Sequence, residues 1–487
     1  MRTLGELLEK VDVLAIDPPA ARELPISGVN DDTRKLGPGE LFIALPGQTV
    51  DGHAFLGAAA ARGAVAALIE RADAVFPAAR VIVPSVARAF GQVAANWYRR
   101  PADALRLTGI TGTNGKTTCS YLVESLLTQA RTRPGVIGTV GYRWGTVRRP
   151  APFTTPTPLV LHETLASMRD DGCTDVVLEA SSHALALERL EAVDFSVAAF
   201  TNLTQDHLDF HPTMEAYADE KARLFSERLR TSGTAVVCVD GPYGEKMAAA
   251  SRAPVLRVSA SGEADVRVLR IDPVKEGTAL ALLTPSGPIE LVSPLVGGFN
   301  VENLVVTVGI GIALGISLAE IAAALRTAHG APGRLERVAG ADIVAYVDYA
   351  HTPDALQRAL AALRPSTTGQ LWVVFGAGGD RDRGKRPLMG ALALAGADHV
   401  VVTSDNPRTE PAARIIDDIL AGMPAGHAAI AIADRRLAIL HAVEHAAAGD
   451  VILVAGKGHE DYQIVGAERR HFDDREVLAE ALQRRGG

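Results

Sequence analysis

Cysteine is almost missing from this chain. The three present, Cys119, Cys173 and Cys238, lie far apart, which excludes a disulfide framework and a CxxC metal site and fits a reducing compartment. Positive charge is the minority sign: 49 Lys+Arg against 57 Asp+Glu leave a formal charge of -8, which argues against a protein that coats nucleic acid. An anionic ligand can still be held locally, by loops and helix ends. Long apolar runs are missing too. The longest uncharged stretch, 304–319, is shorter than the roughly 18 residues of a membrane helix. It is interrupted by Gly309, Gly311 and Gly315 and reads as one buried helix. The opening MRTLGELLEKV puts Leu4, Leu7, Leu8 and Val11 on one helical face and has no apolar signal core. These absences predict a soluble, cytoplasmic protein without membrane insertion.

What is present is ample core material. Hydrophobic residues make up 47% of 487, and at about 150 residues per domain the length suggests roughly three domains. Two seams stand out, Tyr98-Arg99-Arg100-Pro101 and Gly330-Ala331-Pro332-Gly333-Arg334, giving blocks 1–104, 105–333 and 334–487. In the second and third blocks, seven short apolar runs each stop at small polar or charged residues. They are 107–110, 176–178, 197–200, 343–347, 372–375, 400–402 and 452–454. Runs without polar alternation, spaced by helical stretches, are strands buried on both faces of a parallel sheet. In such sheets ligands bind beyond the carboxyl ends of the strands, where these polar clusters lie. The fold class expected is therefore α/β, with a small N-terminal domain, a central P-loop domain of mostly parallel sheet, and a Rossmann-like C-terminal domain. A turn-rich hinge between two such sheets suggests a cleft and an enzyme.

The first apolar run leads into Thr111-Gly112-Thr113-Asn114-Gly115-Lys116-Thr117-Thr118 and then a helical stretch. This is a phosphate loop in its required context. Glycines let the backbone N–H groups face phosphate oxygens, and the helix N-terminus adds its positive dipole end. Lys116 would neutralise the β and γ phosphates of ATP, and Thr117 would ligate Mg²⁺. The usual spacing wants glycine at 110, where Ile110 stands, with Gly109 one place off. Magnesium needs further oxygen ligands; Glu179, at the tip of the next strand, is the natural second, and His207 is the third candidate. A lone histidine is more often an ordinary loop residue than a ligand.

The ordered motifs TGTNGKTT, LEASSHAL, TNLTQDHLDFH, GGFNVENL, APGRLE, DYAHTPDAL, SDNPR and GKGHE resemble the Mur ligases of peptidoglycan synthesis, from about Asp31 to Glu460. The resemblance implies an ATP-dependent amide ligase of cell-wall biogenesis, and hence of cell shape and division. It would add the third residue to UDP-N-acetylmuramoyl-L-alanyl-D-glutamate through an acyl phosphate, and work as a monomer with Mg²⁺. By position, Gly112, Thr113, Asn114, Gly115, Lys116, Thr117 and Thr118 would hold the ATP phosphates. Asn300, Asn303, Arg334, Asp348 and His351 would lie near its base, ribose and phosphates. Glu179 and His207 look like Mg²⁺ ligands. Lys221 matches a lysine that the family carbamylates to help hold a second Mg²⁺. Taken alone it reads as a solvated helix lysine, and adjacent Glu220 would raise its pKa. Asn300 and Asn303 could otherwise cap the helix they precede. Asp31 and Thr33 match uridine contacts, and Gln48, Thr49 and Val50 match diphosphate contacts. Thr154, Thr155, Ser181 and Arg189 match contacts to the muramoyl dipeptide. Leu187 stands where some relatives carry a substrate-contacting glutamine.

The resemblance also bears on which amino acid is added. One branch of the family takes meso-diaminopimelate, which differs from the other branch's L-lysine by a second carboxylate. A site for it should present a cation there. Asp405-Asn406-Pro407-Arg408 resembles the diaminopimelate-type motif and supplies that arginine. Arg383 matches a second carboxylate contact, and Gly456 and Glu460 would hold the distal ammonium. Three rival readings share the phosphate loop: a folylpolyglutamate synthase-like ligase, a P-loop switch or motor, and a non-catalytic nucleotide-binding scaffold.

Overall fold

All seven apolar runs form parallel strands. The computed structural model describes residues 1–47, 50–208, 210–274, 277–338 and 342–486. It divides into two compact units, Met1–Arg267 with Val305–Ile321, and Val268–Leu304 with Ala322–Gly487.

The first unit begins with a small sheet of β1 (Ala15–Asp17), β2 (Val29–Asn30), β3 (Leu41–Ile43), β4 (Ala66–Ile69) and β5 (Ala79–Ile82), in the order β1-β5-β4-β3-β2. Only β1 runs antiparallel to its neighbour. Helix α1 (Val86–Trp97) packs Val86, Phe90 and Val93 with Leu41, Ile43 and Leu68. Each such fully buried side chain contributes about 1.5–3 kcal/mol. The opening segment departs from the expectation of a helix reaching Val11. A box between Thr3 and Glu6 starts a helix that ends at Leu7, and Lys10 turns left-handed at φ +60°. Leu4, Leu7 and Leu8 are nevertheless buried together.

A larger sheet follows. Its elements are β6 (Arg106–Thr111), α2 (Lys116–Gln129), β7 (Pro134–Gly138), β8 (Gly141–Trp144), β9 (Val147–Arg149), α3 (Pro158–Asp170), β10 (Asp175–Glu179), α4 (Ser182–Ala186), β11 (Phe195–Phe200), α5 (Met214–Arg223), β12 (Leu229–Cys238), β13 (Val255–Ser259) and β14 (Val266–Val274). Strand order is β9-β8-β7-β10-β6-β11-β12-β13-β14, parallel from β7 to β14. Strand β6 is central, between β10 and β11, so the loops after all three emerge at one edge. Polar groups there lie outside the ladder and are available to a ligand.

In the second unit, β15 (Gly277–Thr284) and β16 (Gly287–Ser293) form an antiparallel hairpin. Helix α6 (Gly298–Ala313) and α7 (Leu318–Thr327) follow, with 305–321 counted in the first unit. The expected single helix over 304–319 is thus two: the chain breaks at Gly315, which takes φ +78°. After β17 (Glu336–Val338) comes a second buried parallel sheet. It contains β18 (Val344–Asp348), α8 (Pro353–Leu363), β19 (Leu371–Phe375), α9 (Lys385–Gly396), β20 (His399–Val402), α10 (Ala412–Leu420), β21 (Ile430–Ala431), α11 (Arg435–His445) and β22 (Val451–Ala455). The order is β17-β18-β22-β19-β20-β21, parallel except for β17. A hairpin of β23 (Tyr462–Val465) and β24 (Glu468–His471) and helix α12 (Asp474–Gly486) complete the unit.

Candidate active site

Strand β6 ends at Thr111 and the chain turns through 112–115 into α2. Gly112 and Gly115 take φ +146° and +85°, where glycine alone is unstrained. A Cβ on Gly112 would collide with the Thr201 hydroxyl. The turn is latched to the segment after β11. Thr113 N–H donates to the Asn202 carbonyl (2.8 Å), Asn114 N–H to Asn202 Oδ1 (3.0 Å), and the Thr201 hydroxyl to the Asn114 carbonyl (2.6 Å). Lys116 folds its ammonium onto the Gly112 and Thr113 carbonyls, both at 2.9 Å. Thr117 and buried Thr118 follow in the first turn of a helix that no side chain caps, leaving its dipole end to an anion. In Gly112→Ala the strained φ alone costs about 1–3 kcal/mol, so nucleotide titration should show roughly tenfold or weaker binding.

Glu179, 1% exposed at the tip of β10, accepts from the Thr117 hydroxyl (3.0 Å), the Thr139 hydroxyl (2.9 Å) and the Thr139 N–H (3.1 Å). A buried carboxylate whose bonds come from hydroxyl and N–H groups, beside the mouth of a phosphate loop, fits Mg²⁺. Phosphate oxygens and water would complete the shell. His207 stands apart from this pair. Its side chain is 46% exposed, its φ is +53°, and its ring meets His183 edge-on at 4.8 Å. No hydrogen bond or ion pair joins it to Thr117 or Glu179, and among the described residues no three His, Cys, Asp and Glu side chains form a metal-holding group.

Lys221 is not a solvated helix lysine: it is 1% exposed. Its ammonium donates to the Gly112 carbonyl (2.9 Å) and lies 4.5 Å from the centre of the Tyr217 ring. Burial holds its pKa well below the ordinary lysine value, and the nearby Lys116 charge pushes the same way. The opposing pull comes from the Asp206 charge rather than from Glu220, which pairs with Arg223 at 3.2 Å.

Asp31 and Thr33 line a cavity of about 670 Å³ with Arg34, Lys35, Phe55 and Phe153, and burial raises the Asp31 carboxyl. Val50 is exposed; Gln48 and Thr49 lie outside the described residues. Thr154, Thr155, Ser181 and Arg189 come together around the tip of β10. Thr154 bonds the Thr139 hydroxyl (3.0 Å), and Thr155 donates to the Glu179 carbonyl (2.6 Å). Ser181 accepts the Ala184 N–H (3.2 Å) as the cap of α4, and Arg189 donates to the Thr155 carbonyl (3.1 Å). Leu187 is 39% exposed.

In the second unit, Asn300 and Asn303 lie within the first turns of α6 rather than before it. Asn300 donates to the Val296 carbonyl (2.9 Å) and Asn303 to Asn300 Oδ1 (3.1 Å). Arg334 and His351 flank the Tyr349 ring, at 5.1 Å and 4.6 Å from its centre. Asp348 accepts the N–H groups of Leu335 (2.7 Å) and Ala350 (2.8 Å). Burial raises the Asp348 carboxyl against the pull of Arg334, and burial lowers His351.

A second cluster gathers around Asn406. Its Oδ1 accepts from Lys457 (3.0 Å) and Ile464 N–H (3.0 Å), which directs its amide NH₂ to Glu460 Oε2 (2.9 Å). Lys457 is fully buried, 3.5 Å from Asp405 Oδ1. Burial, then the Asp405 charge, raises Glu460. Gly456 takes φ +122°, and a Cβ there would stand 2.8 Å from Asp405 Oδ2. Pro407 leads into Arg408, whose φ is +52°. The Arg408 N–H donates to the Ile464 carbonyl (3.1 Å) and its Nη1 to the Gly379 carbonyl (2.6 Å). Arg383 pairs with Glu410 (3.0 Å), which also holds buried Arg386 (2.9 Å). The carboxylates of Asp405 and Glu460, the buried Lys457 ammonium and, two residues along, the Arg408 guanidinium thus gather at Asn406, a mixed-charge set suited to a zwitterion. Beneath it, fully buried Arg435 grips both Asp474 oxygens at 2.7 Å and donates to the Ser404 and Ala455 carbonyls. Asp474→Ala would strand that cation, so denaturant unfolding should show a loss of about 3–5 kcal/mol.

Sequence reasoning passes over Thr139 and Lys457. Thr139 follows β7 as a small polar residue at a strand tip, the same feature that marks Glu179. Lys457 lies inside GKGHE, between two residues that were singled out.

Three family models match: Mur ligase family, catalytic domain over residues 25–98; Mur ligase middle domain over 110–311; and Mur ligase, glutamate ligase domain over 333–458. A protein of Gloeobacter violaceus named UDP-N-acetylmuramoyl-L-alanyl-D-glutamate–2,6-diaminopimelate ligase is 49% identical over 486 residues, covering 99% of this chain and 98% of its own. The chain belongs to the Mur ligase family. It is an ATP-dependent amide ligase, which sets aside the switch, motor and scaffold readings. A relative of the same name in Geobacter metallireducens is 43% identical over 94% of both chains. A solved structure so named matches this Mur ligase over 100% of both chains, with a TM-score of 0.77 at 36% identity. A Mycobacterium tuberculosis folylpolyglutamate synthase complexed with ADP shares the fold alone, at TM-score 0.62 and 20% identity over 76% of this chain and 91% of its own. Among the described residues no helix is long and apolar enough to cross a membrane.

Proposed function

We propose that this Mur ligase joins meso-2,6-diaminopimelate to the D-glutamate of UDP-N-acetylmuramoyl-L-alanyl-D-glutamate, cleaving ATP to ADP and phosphate. The observation that carries the choice of amino acid is Arg408. It is tied to a backbone carbonyl and, among the described residues, forms no ion pair with a carboxylate. Asp405 and Glu460 beside it suit the ammonium of the same stereocentre. Lysine would leave Arg408 without a partner.

A free carboxylate is a poor electrophile at neutral pH, so the D-glutamate carboxylate first attacks the γ-phosphate. The amine of diaminopimelate then attacks the acyl phosphate carbonyl and expels phosphate. The protein's work is positioning and charge neutralisation. The 112–118 loop and Lys116 hold the phosphates, and Thr154, Thr155, Ser181 and Arg189 hold the dipeptide end. Thr117 and Glu179 would hold Mg²⁺, with His207 as the third candidate ligand. When bound, Mg²⁺ supplies charge neutralisation on the phosphate oxygens. Lys221, buried and biased towards its neutral amine, takes up CO₂ as a carbamate, releasing a proton. Asn300, Asn303, Arg334, Asp348 and His351 serve the nucleotide. Asp31, Thr33, Gln48, Thr49 and Val50 serve the UDP end. Blocks 1–104, 105–333 and 334–487 are the corresponding functional segments of a cytoplasmic monomer.

Phosphate release is measured with ATP, Mg²⁺ and UDP-N-acetylmuramoyl-L-alanyl-D-glutamate, adding meso-diaminopimelate, L-lysine or neither. Release with a UDP-tripeptide only for diaminopimelate is expected. Equal turnover of lysine would overturn the specificity and keep the ligase.

A further inference from the structure

Tyr217 sits between the phosphate loop, Lys221 and the segment that carries His207, yet no role has been given to it. Its side chain is 1% exposed on α5. Its hydroxyl lies 3.2 Å from the Thr113 hydroxyl. Thr113 spends its single proton on the Thr204 carbonyl (3.1 Å) and accepts the Thr204 N–H (3.0 Å). A hydroxyl has one proton and two lone pairs, so Tyr217 is the donor in its bond to Thr113. That one bond fastens α5 to the phosphate loop and, through Thr113, to the 201–204 segment that leads to His207.

The ring does separate work. His211 stacks on it at 5.0 Å with the planes 27° apart, and His211 bonds the Ser182 hydroxyl at 3.0 Å. The Lys221 ammonium stands 4.5 Å from the ring centre while donating to the Gly112 carbonyl, and the His207 ring meets it edge-on at 6.1 Å. The ring therefore braces Lys221 against the loop, and the hydroxyl sets the loop against α5.

We propose that Tyr217 is a positioning residue for the phosphoryl-transfer step, fixing the phosphate loop, the His207 segment and Lys221 in one register through its hydroxyl bond to Thr113 and its ring contact with Lys221. The role in catalysis rests on the ligase reading; the role in holding the loop for ATP does not.

The test is Tyr217→Phe, which keeps the ring and its stacking and removes the hydroxyl. ATP binding is measured by calorimetry with Mg²⁺, which needs no acceptor, alongside kcat, the KM for each substrate and the melting temperature. One net hydrogen bond corresponds to about a two- to tenfold effect. The expected result is ATP affinity lowered about five- to tenfold and a fall in kcat. The KM for diaminopimelate should not move, and melting should be native. ATP affinity and kcat both within twofold of wild type would overturn the proposal. Should Tyr217→Phe melt early, its ATP affinity is read at a temperature well below its melting midpoint: binding about five- to tenfold weaker than wild type there supports the proposal, and unchanged binding overturns it. If wild type binds ATP but forms no UDP-tripeptide while Tyr217→Phe binds ATP more weakly, the proposed reaction fails and the positioning of the loop stands.

Discussion

Lys221→Met is expected to lower kcat by about 10²–10³-fold, the range seen when one preorganised charge-stabilising group is removed from an active site, while the KM for diaminopimelate stays near wild type. The reason lies in where the amine is held. Lys221 is buried beneath the phosphate loop on the Gly112 carbonyl, and burial and the Lys116 charge depress its pKa. An exposed lysine would be almost wholly protonated at neutral pH and unreactive towards CO₂. The sign of the pH dependence follows. Lowering the pH through the depressed pKa protonates the amine, so carbamate formed from bicarbonate should be lost on the acid side and recovered on the alkaline side. Stability shifts the same way: the unfolded chain binds a proton the uncarbamylated folded chain does not, so this site makes stability rise with pH up to the free lysine value. Steady-state assays in CO₂-depleted buffer, with and without added bicarbonate, check the point. Wild type should respond to bicarbonate and Lys221→Met should not. A variant with wild-type kcat would remove Lys221 from the mechanism.

The parallel sheets were legible because buried strands write an unmistakable pattern. Residues 107–110, 176–178 and 452–454 carry no polar alternation, and each lies in a parallel strand whose residues are buried on both faces. The phosphate loop was legible for a different reason: glycines with left-handed φ leave few alternatives to the spacing around Lys116. What the sequence hid was burial set by tertiary packing. Lys221 and Lys457 are written like surface lysines, and only the fold places their amines among carbonyls and carboxylates. Helix ends were hidden as well. The break at Gly315 and the early stop after Leu7 go with left-handed residues, Gly315 and Lys10, which hydrophobic periodicity does not report. Tyr217 escaped notice because a tyrosine four residues before a lysine on a helix is ordinary until the loop it bonds is in place.

Arg408→Ala is expected to raise the KM for meso-diaminopimelate by ~30-fold or more, since truncating one partner of a buried, hydrogen-bonded charge pair costs about 2–5 kcal/mol. ATP and UDP-dipeptide binding should be unaffected. Two arginines compete for this role, and the structure separates them. Arg383 is already paired with Glu410 (3.0 Å), a carboxylate it shares with buried Arg386. A substrate carboxylate would have to compete for it, so Arg383→Ala should cost less than Arg408→Ala. Arg408 is held instead by neutral groups: its N–H donates to the Ile464 carbonyl and its Nη1 to the Gly379 carbonyl. Those bonds fix the guanidinium without cancelling its charge, and a guanidinium presents a fork that matches a carboxylate. Arg408→Lys keeps the charge but not the fork, and should fall between wild type and Arg408→Ala. Because Asn406 and Lys457 set Glu460 independently of Arg408, the ammonium end of the site survives the substitution. Arg408→Ala should therefore narrow the preference for diaminopimelate over L-lysine rather than abolish turnover of both. Initial rates for the two amino acids, measured on wild type, Arg408→Lys, Arg408→Ala and Arg383→Ala, give the order directly. A diaminopimelate KM in Arg408→Ala equal to wild type would show that the discriminating cation lies elsewhere.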